Sequence, residues 1–166
     1  MFKTQIESIL TLDVHSRRFF QGCYAIDRLP NRHGSTPLPR RSAYVINYDE
    51  HDQPGSHWVA VFCDEAGRID FFDSAGEPPL EDTRLHNFLG LRLDGRGGAR
   101  QPPSVNFNPV QLQRNLSNAC GFYSVYFILQ RARQRTANDI LHILASSNSD
   151  FVVKDHIYSR YRAIFT

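Results

Sequence analysis

Ser117-Asn118-Ala119-Cys120-Gly121-Phe122-Tyr123-Ser124-Val125-Tyr126-Phe127-Ile128-Leu129-Gln130 decides the fold. From Cys120 to Gln134 the pattern predicts a helix whose first three turns are apolar nearly all round. Such a helix belongs in the centre of a fold, with other elements covering every side. Ser117, Asn118 and Ala119 are small or capping residues that lead straight into it, so Cys120 falls at the helix N-terminus. Unpaired backbone N–H groups and the positive end of the macrodipole favour a thiolate there, as a nucleophilic cysteine requires. A core cysteine in a first helical turn would occupy the same place, so position alone leaves both readings open.

Upstream of the helix, Ser56 to Cys63 and Arg68 to Asp73 are strand candidates joined through Asp64-Glu65-Ala66-Gly67, where Gly67 takes positive φ at little cost. Val59, Val61, Ile69 and Phe71 fall on one face, and Trp58, Ala60, Phe62 and Phe72 on the other, as in a sheet covered on both sides. If the loop is the three-residue type with Gly67 as the bulge residue, Asp64 pairs with Arg68 and Asp73 lies opposite Val59. His57 then shares a face with Val59 and becomes the diagonal neighbour of Asp73, within reach of both side chains. A carboxylate could hold the imidazole in that register. Loops of two or four residues break the match, and an isolated His and a strand-end Asp ordinarily face solvent.

The remaining segments fill in around this pair. Ile6, Ile9, Leu10 and Leu12 suggest an N-terminal helix of about ten residues. Asp27 to Arg41, with Pro30, Gly34, Pro37 and Pro39, reads as an exposed loop. Ser42 to Tyr48 and Ser104 to Asn108 suit strands, Glu81 to Leu89 a short helix, and Ala137 to Ala145 and Asp150 to Ile164 two more helices. The run Gly95-Arg96-Gly97-Gly98 lacks both the spacing of a dinucleotide fingerprint and the Lys of a P-loop. The expected architecture is α+β, a mixed sheet packed against the central helix, forming a single domain over residues 1–166.

Composition agrees. At 166 residues the chain is about one domain, and 41% hydrophobic with 22% charged residues is a globular balance. Nineteen Lys and Arg against seventeen Asp and Glu leave +2, too little charge to mark a dedicated nucleic-acid or membrane-surface binder. No apolar run approaches the roughly 20 residues that span a bilayer, and the start carries no signal-peptide pattern, so residence inside a cell is expected. Cys23, Cys63 and Cys120 are an odd set without a C-x-x-C pair, which argues against a disulfide framework and a structural zinc site. Each reads as a single thiol. Gln113, seven residues before Cys120, could donate its side-chain amide to an oxyanion, with the backbone N–H of Cys120 as second donor. On composition alone Gln111 is an equal competitor.

Four segments in fixed order carry a family resemblance: Phe20-Gln21-Gly22-Cys23-Tyr24, Ser56-His57-Trp58-Val59-Ala60-Val61-Phe62, Phe71-Phe72-Asp73-Ser74-Ala75-Gly76, and Gln113 through Ser117-Asn118-Ala119-Cys120-Gly121. Together they resemble the adenovirus endopeptidase (adenain) family of cysteine proteases, which includes relatives encoded by Maverick/Polinton-type elements. The resemblance implies His57 as general base, Asp73 as the acid that orients it, Gln113 in the oxyanion hole and Cys120 as nucleophile. Trp58 would wall the base and contact substrate, although a strand Trp is as readily a core residue. By the same resemblance the substrates would be virion precursor proteins, cleaved during particle maturation in the host nucleus and the virus or virus-like particle. The chemistry would need no cofactor or metal, while an activating peptide and DNA would be stimulating partners and no membrane would be involved. Where the family carries Glu this chain has the shorter Asp73. The region near Gln101 to Ser104, where the family attaches its peptide by a disulfide, has no cysteine.

Two rivals compete with that reading. One is a protease that removes ubiquitin-like proteins; there the Gln usually stands one residue closer to the Cys and the triplet is Asp-Cys-Gly, whereas here it is Ala119-Cys120-Gly121. The other is a non-catalytic capsid- or DNA-associated protein that keeps the fold, to which the basic clusters Arg17-Arg18, Arg40-Arg41 and Arg131 to Arg135 would belong.

Overall fold

A computed structural model describes residues 1–30, 37–91, 104–146 and 148–166. The glycine run at 95–98 and the attachment region at 101–103 lie outside the described residues. Among those described, the elements in chain order are α1 (Lys3–Leu12), β1 (Phe20–Ala25), β2 (Ser42–Asn47), β3 (Trp58–Cys63), β4 (Ile69–Phe72), α2 (Thr83–Leu89), β5 (Val105–Phe107), α3 (Cys120–Ala132), α4 (Ala137–Ala145) and α5 (Ser149–Tyr161). The five strands form one sheet in the order β1-β2-β3-β4-β5. The two outer pairs are parallel and the two inner pairs antiparallel, so the sheet is mixed.

The β3–β4 hairpin takes the three-residue turn. Gly67 has φ 84°, and Asp64 Oδ1 accepts the Ala66 and Arg68 N–H groups at 2.8 and 2.9 Å. Asp64 N–H donates to the Arg68 carbonyl at 3.0 Å, and the ladder runs from Cys63 opposite Ile69 to Ala60 opposite Phe72. The two strand faces divide as their alternation requires. Ala60, Phe62 and Phe72 pack with α1, α3, α4 and α5, while Val59, Val61, Ile69 and Phe71 pack with Leu85, Phe88 and Leu89 of α2.

α3 is buried at every position from Cys120 to Gln130, which makes it the central helix. Phe127 stacks on Phe72 with ring centroids 4.4 Å apart, and Ser124 Oγ donates to the Trp58 carbonyl at 3.1 Å. These contacts lay the first half of α3 over β3 and β4. By contrast α2 is a short covering helix, closed by Asp82, whose carboxylate accepts the Arg84 and Leu85 N–H groups, and by left-handed Gly90.

Three expectations need correction. Leu12 is exposed, because only Ile6, Ile9 and Leu10 of α1 lie on the face toward the sheet. In the loop before β2, Leu38 is buried against the α2 face, so that segment is not wholly exposed. Finally, α3 carries no side-chain cap: Ala119 is its N-cap, and Ser117 Oγ instead donates to Asp150 at 2.6 Å.

Candidate active site

The last antiparallel pair leaves both strand ends on one side of the sheet. His57 stands one residue before β3 and Asp73 one residue after β4, each just beyond the ladder. His57 Nε2 lies 2.6 Å from Asp73 Oδ1, with the carboxylate almost fully buried and the imidazole 23% exposed. Asp73 is fixed in turn by Asn108, a buried residue just after β5. Asn108 Oδ1 accepts the Asp73 N–H at 2.9 Å and its Nδ2 donates to the Asp73 carbonyl at 2.6 Å. A side chain thus pairs with Asp73 as a neighbouring strand would, after β5 has ended.

α3 brings Cys120 to the same place as the first residue of the helix. While Nε2 is engaged by Asp73, the same imidazole also interacts with the Cys120 side chain. Burial alone would raise the Cys120 pKa, but the hydrogen bond with His57, the Trp58 N–H, the charge of His57 and the Gly121 N–H outweigh it and hold the thiol below its ordinary range. Burial would likewise depress His57, yet Asp73 and Cys120 lift its pKa to about 9. Both shifts favour a thiolate beside an imidazolium. The missing cap on α3 is consistent with this state, since no side-chain oxygen competes with the sulfur for the helix N–H groups.

Gly121 leaves little room for a side chain between α1 and Trp58. A Cβ there would lie 2.9 Å from Met1 Cβ and 3.4 Å from Trp58 Cδ1. Trp58 itself is half-buried and packs against the core, and its backbone N–H reaches the Cys120 sulfur. Gln113 is partly buried and hydrogen-bonded at both ends of its amide, to Ser74 and to the Ser117 carbonyl. Gln111 is exposed and its amide is bound to the Gln113 carbonyl and Asn115.

The structure therefore brings His57, Asp73, Cys120 and Trp58 together and sets Gln113 on the loop that leads into α3. Sequence reasoning missed Asn108, Ser74 and Tyr48. Tyr48 follows β2, and its ring lies against the imidazole with centroids 5.5 Å apart. Burial, with the nearby Asp73 charge, keeps its phenol strongly protonated. Only Ser74 had a sequence signal, as the residue between Asp73 and a turn glycine. A cavity of about 590 Å³ lies elsewhere, bordered by Asp70, Phe107, Arg131 and Leu141, and meets the site only through Asn108. No group of His, Cys, Asp and Glu among the described residues could hold a metal ion.

No protein-family model matches the chain. Over 91 residues, 53% of its length, it is 32% identical to a protein of Acanthamoeba polyphaga mimivirus named "Putative thiol protease R355". The chain spans 29% of that relative's length. Among solved structures, the ASFV pS273R protease shares 22% identity, covering 67% of this chain and 43% of the other with a TM-score of 0.40. The sequence likeness runs to a thiol protease of viral origin, in keeping with the motifs.

Proposed function

We propose that this chain is a cysteine endopeptidase that cleaves viral or virus-like precursor proteins during particle maturation. One observation carries the reading: a cysteine at an uncapped helix N-terminus shares a histidine with a buried carboxylate, and the coupling lowers the thiol while raising the imidazole. A buried structural cysteine has no such partner. Cys23 in this same chain shows the contrast, since burial pushes its thiol up to about 12.

In the mechanism that this geometry supports, Cys120 Sγ forms a bond to the scissile carbonyl carbon and the carbonyl electron pair moves onto oxygen. Gln113 and the Cys120 N–H receive that oxyanion. As the tetrahedral intermediate collapses, the C–N bond breaks and His57 gives its proton to the leaving amine. His57 then takes a proton from water as it attacks the thioester, and the C–S bond breaks to release the acid product. Asp73 orients the ring throughout. The likeness to a viral thiol protease supports the protease chemistry; precursor proteins as substrates rest on the motif resemblance, and the half-buried Trp58 next to His57 favours small residues such as glycine at the cleavage point.

Cleavage of an internally quenched peptide library by the purified chain tests this. Cys120→Ala should abolish turnover while Cys23→Ala retains it. Turnover that survives Cys120→Ala would remove the reading. An activating precursor-tail peptide should act under reducing conditions, since Cys23, Cys63 and Cys120 are all buried.

A further inference from the structure

We infer that Ser74 is a positioning residue that clamps the oxygen end of the Gln113 amide, whose NH2 end the Ser117 carbonyl selects, and so holds the remaining N–H toward the substrate. It does so from the same turn that supplies Asp73. The consequence for catalysis rests on the protease reading above; the hold of Ser74 on the amide does not.

Ser74 is 1% exposed and bonds the Gln113 segment three times. Its carbonyl accepts the Leu112 and Gln113 N–H groups at 2.9 and 3.0 Å, and its hydroxyl donates to Gln113 Oε1 at 2.7 Å. At the other end Gln113 Nε2 donates to the Ser117 carbonyl. A carbonyl only accepts, so only the NH2 end of the amide can face Ser117, and Oε1 must turn toward the one hydroxyl that donates to it. One N–H is spent on Ser117, and the second is left for an incoming oxygen. The reversed amide would aim lone pairs at a developing oxyanion and repel it.

The turn that carries Ser74 is itself locked. Asp73 Oδ1 accepts the Ala75 N–H at 2.8 Å, and the Gly76 N–H donates to the Asp73 carbonyl at 2.9 Å. Gly76 has φ 77°, and a Cβ on it would meet the Val110 carbonyl carbon and the Gln111 nitrogen at 2.6 Å. No side chain fits there, so the 73–76 turn and the 110–113 segment interlock backbone against backbone. A single bracket thereby aligns the residue that orients the base and the residue that would receive the oxyanion.

The test combines nuclear magnetic resonance of the Gln113 side-chain amide, assigned by its loss in Gln113→Ala, with kinetics on the best-cleaved member of the peptide library. In the wild type the two amide protons should be displaced from free-glutamine positions and unequally protected from solvent. In Ser74→Ala they should move toward free glutamine and exchange faster. Because the donor remains but is held at one end only, kcat should fall about 10-fold with KM within about 2-fold, against about 10² to 10³ for Gln113→Ala. Adding Ser74→Ala to Gln113→Ala should cost nothing more, and the pH profile of Cys120 alkylation should stay put. A free-glutamine signature in the wild type, an unchanged amide in Ser74→Ala, additive losses in the double variant or a shifted alkylation profile would each overturn the inference. If the amide responds as expected but no peptide is cleaved by the wild type, the hold of Ser74 stands and the protease reading falls.

Discussion

At Cys120 and His57 two opposing effects meet, and their balance can be read in solution. Burial penalises both charges, yet each charge stabilises the other, and Asp73 adds to the imidazolium side. The sign follows directly. Cys120 is deprotonated from below the ordinary thiol range upward, and His57 keeps its proton until the pH rises through about 9. Alkylation of Cys120 by iodoacetamide should therefore show its acid limb below the ordinary thiol range, and kcat/KM should decline near pH 9 as the proton needed by the leaving amine is lost. His57→Ala should move the alkylation limb upward, because burial then acts on the thiol unopposed by its partner. A wild-type limb at the ordinary thiol value would contradict the ion pair. Cys23, raised to about 12, should stay unlabelled in folded protein.

Among the elements, three helices are tied together by one carboxylate. Asp13, at the C-terminus of α1, accepts from the Ser16 N–H at 2.8 Å, from Arg133 after α3 at 2.5 Å and from Tyr161 at the end of α5 at 2.9 Å. Burial opposes the charge, but these donors hold the Asp13 pKa down at about 2. A carboxyl depressed in the folded state stabilises above its unfolded value and loses that contribution as pH falls toward 2. Asp13→Asn should lower stability at neutral pH by about 2 to 3 kcal/mol, the scale of lost charge-assisted hydrogen bonds, and should flatten the acid limb of the stability curve. Urea unfolding at pH 7 and pH 3 measures both. The elements themselves were largely legible in the sequence because their signals are local. Gly67 and Asp64 fix the hairpin register, and register puts Asp73 beside His57. The all-round apolar run fixes α3 as the central helix. Asn108 was not legible, because its role is to continue a ladder that its own strand has left. Nor could spacing separate Gln113 from Gln111, since burial and the contact with Ser74 depend on a turn distant in sequence.

Over the whole molecule, the arginines that looked like a surface cluster are partly internal. Arg131 pairs with Asp70 at 2.9 Å with both side chains nearly buried, and its guanidinium sits 4.7 Å over the Phe62 ring. Arg133 is held by Asp13. They brace the fold from within. Burial keeps the Asp70 carboxyl above the usual range despite the Arg131 charge, the mark of a pair whose desolvation outweighs its attraction. Arg131→Met alone should therefore cost about 3 to 5 kcal/mol by stranding Asp70, whereas Asp70→Asn added to it should restore much of the loss; urea midpoints of the two variants decide. A different consequence follows from where the site residues come from. His57 and Asp73 lie at the two ends of one hairpin, but the sulfur arrives only when α3 docks across β3 and β4. A chain still emerging from the ribosome, or one partly unfolded, carries Cys120 as a plain thiol without its base. The lowered pKa of the Cys120 thiol is thus a property of the assembled core and not of the hairpin alone.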